Sequence, residues 1–132
     1  MTEPDYIIYS DCGYHLGRNE GAYAYIILRG EQIVGKKAVA FTHETSNRGE
    51  LMAVIDAVDS CPHGARLEVR SDSQYVVNTL SGEWRHRTND DLFVRWKKLV
   101  ARKKLKITLT WVRGHSGDKY NEMCDAMCDE LL

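Results

Sequence analysis

Four carboxylates stand at places where packing has no use for them. Asp11 follows the apolar run "DYIIYS", Asp72 sits in "VRSDSQYV" where a strand gives way to a helix, and Glu50 falls in the first turn of a helix introduced by "THETSNRG". Asp125 lies on the last helix beside Met123 and Ala126. Each could have an ordinary role. Glu50 could close a capping box with Asn47, three residues earlier; Asp72 could cap the helix at Ser73; Asp11 could be a turn residue ending the first strand. As a group they predict something else, because carboxylates gathered at one sheet edge cost several kcal/mol per uncompensated buried charge. A divalent cation offsets that cost, and hard oxygen donors with no His or Cys cluster beside them indicate Mg2+ or Mn2+ in preference to zinc.

The segment "WVRGHSGDKYNEMCD" adds a histidine between two glycines, His115, ten residues ahead of Asp125. A histidine kept for packing would sit inside an element, where neighbours satisfy it. His115 is instead expected on a loop between Gly114 and Gly117 that lets it approach and leave a reacting group; the alternative is an exposed surface histidine. Cys124 and Cys128 lie one helical turn apart, yet no further His or Cys pair offers the remaining ligands of a structural zinc site. With Cys12 and Cys61 they are expected to be reduced thiols.

These side chains need elements to carry them. "DYIIYS" predicts a short strand, and "AYAYIILR" with "EQIVGKKAVAF" predicts two more joined at Arg29-Gly30-Glu31. From Asn47 to Ser60 the apolar positions Leu51, Val54, Ile55 and Val58 recur at helical spacing, and Cys61-Pro62-His63-Gly64 ends that helix. "RLEVRS" reads as a strand, "SQYVVNTL" as a short helix, "DDLFVRWKKLVARK" as a longer one with Leu92, Trp96, Leu99 and Val100 on one side, and "LKITLTWV" as a strand. A last helix runs from about Lys119, apolar at Met123, Ala126, Met127 and Leu131. This order implies one α/β domain over residues 1–132, a mixed sheet covered by helices. Sites in such sheets form where strands end and helices begin.

No apolar run approaches membrane-spanning length. The start "MTEPDYIIYS" is unlike a secretory signal, so a cytoplasmic protein is expected. The net charge of −1 favours no partner, but half of the 18 Lys and Arg fall between Arg85 and Lys106, against only Asp90 and Asp91. Such a run is either a solvated helix face or a polyanion contact, and Trp84 and Trp96 in or beside it favour the second.

Taken with "TSNRGELMA" and "SDSQYV", the Gly-His-x-Gly segment followed by Asn-Glu and Asp resembles type 1 ribonuclease H over nearly the whole chain. The resemblance implies a ribonuclease H-like α/β fold: a mixed five-stranded sheet, three antiparallel strands then two parallel ones, with helices on both faces. It implies a phosphodiester hydrolase that cuts the RNA strand of RNA/DNA hybrids and leaves 5′-phosphate and 3′-hydroxyl ends. It places two Mg2+ ions, replaceable by Mn2+, on Asp11, Glu50, Asp72 and Asp125, and makes His115 the family's mobile histidine. Asn47 and Gln74 match positions that touch the hybrid, Thr45 and Asn89 a pocket for a DNA phosphate, and Trp84 an aromatic in the DNA channel. A monomer acting on RNA/DNA hybrid is expected.

The chain departs from the pattern in places. Cys12-Gly13-Tyr14 stands where the family usually has Gly-Ser, Gly49 replaces a larger apolar residue, and the Trp84 to Asn89 gap is too short for the basic handle of bacterial members. Two other classes compete with the enzyme: a binding module that kept the fold and lost chemistry, which should lack at least one acid, and a DNA junction nuclease of the same superfold.

Overall fold

The computed structural model describes residues 3–114 and 118–132. Three long strands come first: β1 (Tyr6–His15), β2 (Glu20–Arg29) and β3 (Gln32–Thr42). The β2–β3 turn contains Gly30 at φ 62°, a left-handed conformation that glycine adopts without steric cost. Then follow α1 (Ser46–Asp59), β4 (Arg66–Ser71), α2 (Gln74–Leu80), α3 (Asp90–Lys103), β5 (Lys106–Trp111) and α4 (Lys119–Leu131), with a short 3-10 turn at Leu16–Arg18. The sheet order is β3-β2-β1-β4-β5. β1 pairs antiparallel with β2 and parallel with β4, and β5 extends the parallel half. This is the mixed five-stranded arrangement expected. None of the helices among the described residues is long and apolar enough to cross a membrane.

Strand alternation divides the core. Ile8 of β1 joins Leu51, Val54, Ile55 and Val58 of α1, Val76 of α2 and Leu92, Phe93, Trp96 and Leu99 of α3. The next residue, Tyr9, points the other way, to Ala22, Ala24, Ile26 and Leu28 of β2 and to Cys124 and Cys128 of α4. Helices therefore cover both faces. The small side chains of Ala22 and Ala24 leave room for α4 to lie close on β2.

Three features differ from the sequence reading. Asp11 does not end a strand or form a turn. Parallel pairing with β4 stops at Ser10↔Ser71, but β1 continues to His15↔Glu20 because the adjacent strand of the hairpin is still there to pair with it. Trp96 does not face a polyanion. It is 7% exposed, one turn after Leu92 on the buried stripe of α3, whereas Trp84 is 49% exposed. On α4 the inward positions are Asn121, Cys124 and Cys128, while Ala126 is exposed and Leu131 is 46% exposed. Cysteine packs here as a small apolar side chain, which turns the buried face away from the Ala126–Leu131 line. The thiols of Cys124 and Cys128 donate to the carbonyls of Tyr9 and Asp11. Burial pushes the Cys128 thiol up to about 12.

Candidate active site

The parallel register brings the ends of β1 and β4 to one edge of the sheet. Asp11 follows Ser10 on β1 and Asp72 follows Ser71 on β4, and Ser10 and Ser71 are direct partners. α1 starts at the same edge and carries Glu50 there just past its first turn, which itself holds no acidic residue, one step later than the sequence reading placed it. Its Leu51, Val54, Ile55 and Val58 are all fully buried. At about 1.5–3 kcal/mol each, that burial outweighs the several kcal/mol needed to carry one carboxylate in with them. Asp11, Glu50 and Asp72 each present an oxygen, and these atoms lie within 4.8 Å of one another.

None of the three has the ordinary role open to it in the sequence. The N-cap of α1 is Thr45, whose side chain accepts from Arg48 N, and Asn47 is exposed in the first turn. Ser73, not Asp72, caps α2, accepting from Val76 N. Ser71 in turn accepts from Ser73 N at 3.1 Å, which shapes the turn presenting Asp72. Trp111 Nε1 donates to the Asp72 carbonyl at 3.1 Å, and Gly114 lies so near that a Cβ there would be 3.0 Å from Asp72 Oδ2. Asp125 is half-buried on α4, one turn after Asn121 and next to Cys124, outside the group of three. Its charge still acts on Asp11. Buried Asn121 Nδ2 has no hydrogen-bond partner among the described residues. His115 lies outside the described residues.

Crowding shows in the acidities. Burial, then the Asp72 charge, pushes the Asp11 carboxyl up to about 7, against one opposing hydrogen bond from Cys12 N at 2.8 Å. Glu50 is also raised well above the usual carboxylate range, by burial and then by Asp11 and Asp72, with a Ser73 hydrogen bond opposing. Such a group stabilises the fold fully below its unfolded pKa and loses that contribution as pH rises through the folded one. For Asp11 the window runs from about 3.8 to about 7. Without divalent cation, stability should fall across that window by up to about 1.4 kcal/mol per pH unit from this group. Urea melts in chelator between pH 5 and 7 check it: wild type should lose more stability than Asp11→Asn, and equal slopes would contradict the reading.

Asn47 and Gln74 are exposed at the starts of α1 and α2. Thr45 and Asn89, 44 residues apart in sequence, are brought into one region by Arg48. That side chain donates to Asn89 Oδ1 at 3.3 Å, forks onto Asp91 with two bonds of 2.8 Å, and reaches Glu44 at 2.6 Å. Asn89 is left-handed at φ 65° and donates to Tyr75 Oη at 3.0 Å. The Arg48 guanidinium holds the Asp91 carboxyl down at about 2. Sequence reading missed Arg48 and Tyr75. Arg48 stands three residues after Thr45 in a segment that reading singled out, but nothing local pairs it with Asp91.

Comparison with known proteins gives this geometry its relatives. The RNase H family model matches residues 3–131. A ribonuclease H of Phenylobacterium zucineum is 33% identical over 98% of this chain and 91% of its own length. That of Pseudoalteromonas atlantica is 37% identical over 91% of this chain and 85% of its own. Among solved structures, the N-terminal RNase H domain of a Mycobacterium tuberculosis protein aligns over 97% of this chain and 93% of its own, at TM-score 0.82 and 20% identity. LC11-RNase H1, solved in complex with RNA/DNA hybrid, aligns over 95% of this chain and 94% of its own at TM-score 0.81 and 17% identity. A family match over nearly the whole chain, with relatives above 30% identity, establishes that the chain belongs to the RNase H family.

Proposed function

We propose that this chain is a divalent-cation-dependent ribonuclease H that hydrolyses the RNA strand of RNA/DNA hybrids by a two-metal mechanism, leaving 5′-phosphate and 3′-hydroxyl ends. The observation that carries the reading is the meeting of Asp11, Glu50 and Asp72 within 4.8 Å at the edge of the sheet. The donor set fits the group: hard, crowded carboxylate oxygens held by rigid elements suit Mg2+, with Mn2+ as substitute. Asp11, Glu50, Asp72 and Asp125 would hold the ions, which supply an activated water and neutralise charge on the scissile phosphate.

The protein's own residues do the rest. β1 and α1 fix Asp11 and Glu50 by backbone pairing and core packing, so the carboxylates are arranged before substrate arrives. Thr45 and Asn89 take a DNA phosphate, and Asn47 and Gln74 reach the wide minor groove where the 2′-hydroxyl marks RNA. Trp84 and the cations between Arg85 and Lys106 follow the DNA strand. His115 assists product departure. That all four acids and the histidine stand in the sequence supports an enzyme over a binding module.

Incubation with Mg2+ and end-labelled RNA/DNA hybrid, duplex DNA, duplex RNA and single-stranded RNA tests the reading. The RNA strand of the hybrid alone should be cut, with chelator abolishing cleavage. Cutting of branched or duplex DNA in place of hybrid would favour the junction nuclease, and binding without cleavage the module.

A further inference from the structure

Beside the acid cluster an aromatic ring fills the space of two missing side chains. Phe41 of β3 is the direct cross-strand partner of Gly21. A Cβ on Gly21 would lie 2.4 Å from Phe41 Cζ and 2.6 Å from Cε1. A Cβ on Gly49, in the first turn of α1, would lie 2.7 Å from the same Cζ, 2.9 Å from Cε2 and 2.5 Å from Cys12 Sγ. The ring tip is therefore wedged between the backbones of β2 and α1. Gly49 immediately precedes Glu50, and Cys12 immediately follows Asp11.

A glycine within a helix costs about 1 kcal/mol relative to alanine, so a bare Cα in this buried turn needs a reason. The ring and the thiol provide it. Phe41 belongs to neither apolar core. It is braced by Tyr14 and Tyr23, with ring centroids 6.3 Å and 6.4 Å away. Farther along α1, Tyr23 Oη donates to Asp56 at 2.9 Å and fastens the body of the helix to β2. At the first turn, Arg48 holds the outer side through Asp91 and Asn89, and the ring lies against the backbone of Gly49.

We infer that Phe41 is a positioning residue for Glu50: its ring, wedged between Gly21 and Gly49, sets how closely the first turn of α1 approaches Asp11, and thereby the affinity of the acid cluster for a divalent cation. The inference rests on the metal-dependent reading above. Because ring meets backbone with no flexible side chain between, a change in ring size moves the helix start, and metal ligands tolerate only small displacements.

Calorimetric titration with Mn2+, with melting of the metal-free proteins alongside, tests it on wild type, Phe41→Leu, Gly49→Ala, the double variant and Asp72→Asn. Phe41→Leu should weaken Mn2+ binding roughly 10-fold, the lower end for groups that orient metal ligands. Gly49→Ala should weaken it too, and the double variant should bind better than Gly49→Ala, since the smaller side chain makes room for the new methyl. A Phe41→Leu dissociation constant within twofold of wild type, with only the melting temperature lowered, would reduce the ring to packing and overturn the inference. That comparison decides alone if Gly49→Ala does not fold. Mn2+ binding that Asp72→Asn leaves unchanged would overturn the metal reading itself, and the inference with it.

Discussion

Asp72→Asn should abolish hybrid cleavage while the metal-free protein melts at the same temperature as wild type or higher. The amide keeps the shape of the side chain and removes one charge from a group whose oxygens lie within 4.8 Å of one another. Losing a cation that contributes several kcal/mol of transition-state stabilisation corresponds to a rate loss of roughly 10³-fold or more. Stability moves the other way, because the Asp72 charge is a principal cause of the raised Asp11 carboxyl and also acts on Glu50. Removing it relieves both. Asp11→Asn and Glu50→Gln should behave alike. Single-turnover cleavage and thermal melts in chelator decide the matter. Retained activity in Asp72→Asn would sink the metal-cluster reading, and a large fall in melting temperature would mean that the carboxylate is a structural partner.

His115→Ala should be slow but measurably active. Proton transfer or product-release help from one side chain is worth about 10²- to 10⁴-fold, and the four acids that would hold metal are untouched. Metal affinity should therefore hardly change. Mn2+ titration beside steady-state and single-turnover rates separates the cases: loss of binding would make His115 a ligand, and wild-type rates would make it a bystander. If release is its task, steady-state turnover should fall more than the first turnover. Gly114, immediately before it in sequence, lies so close to Asp72 that a Cβ there would be 3.0 Å from Oδ2.

Much of this protein is written locally. The helix "DDLFVRWKKLVARK" spans Asp90–Lys103 and the strand "RLEVRS" spans Arg66–Ser71, as their periodicity and flanking residues indicate, because turns, caps and alternation act over a few residues. The same local grammar shows which acids lack a packing role, and the segment around His115 names a family. Partners in space were another matter. Nothing near Asp11 announces that β1 runs on to His15, since that depends on β2 still lying beside it. Helical spacing put Trp96 with Leu92 and Leu99, and the packing of α3 on the sheet decided for that stripe against a polyanion contact, while Cys124 and Cys128 pack with Ala22 and Ala24 on the inward face of α4. Arg48 meets Asp91 across 43 residues, and Gly49 makes sense only with the Phe41 ring against it. Residue types and element boundaries follow from short-range sterics and hydrogen bonding, so the sequence by itself determined them. The meeting of three carboxylates depends on parallel strand register and on the depth of one helix, which long-range packing alone decides.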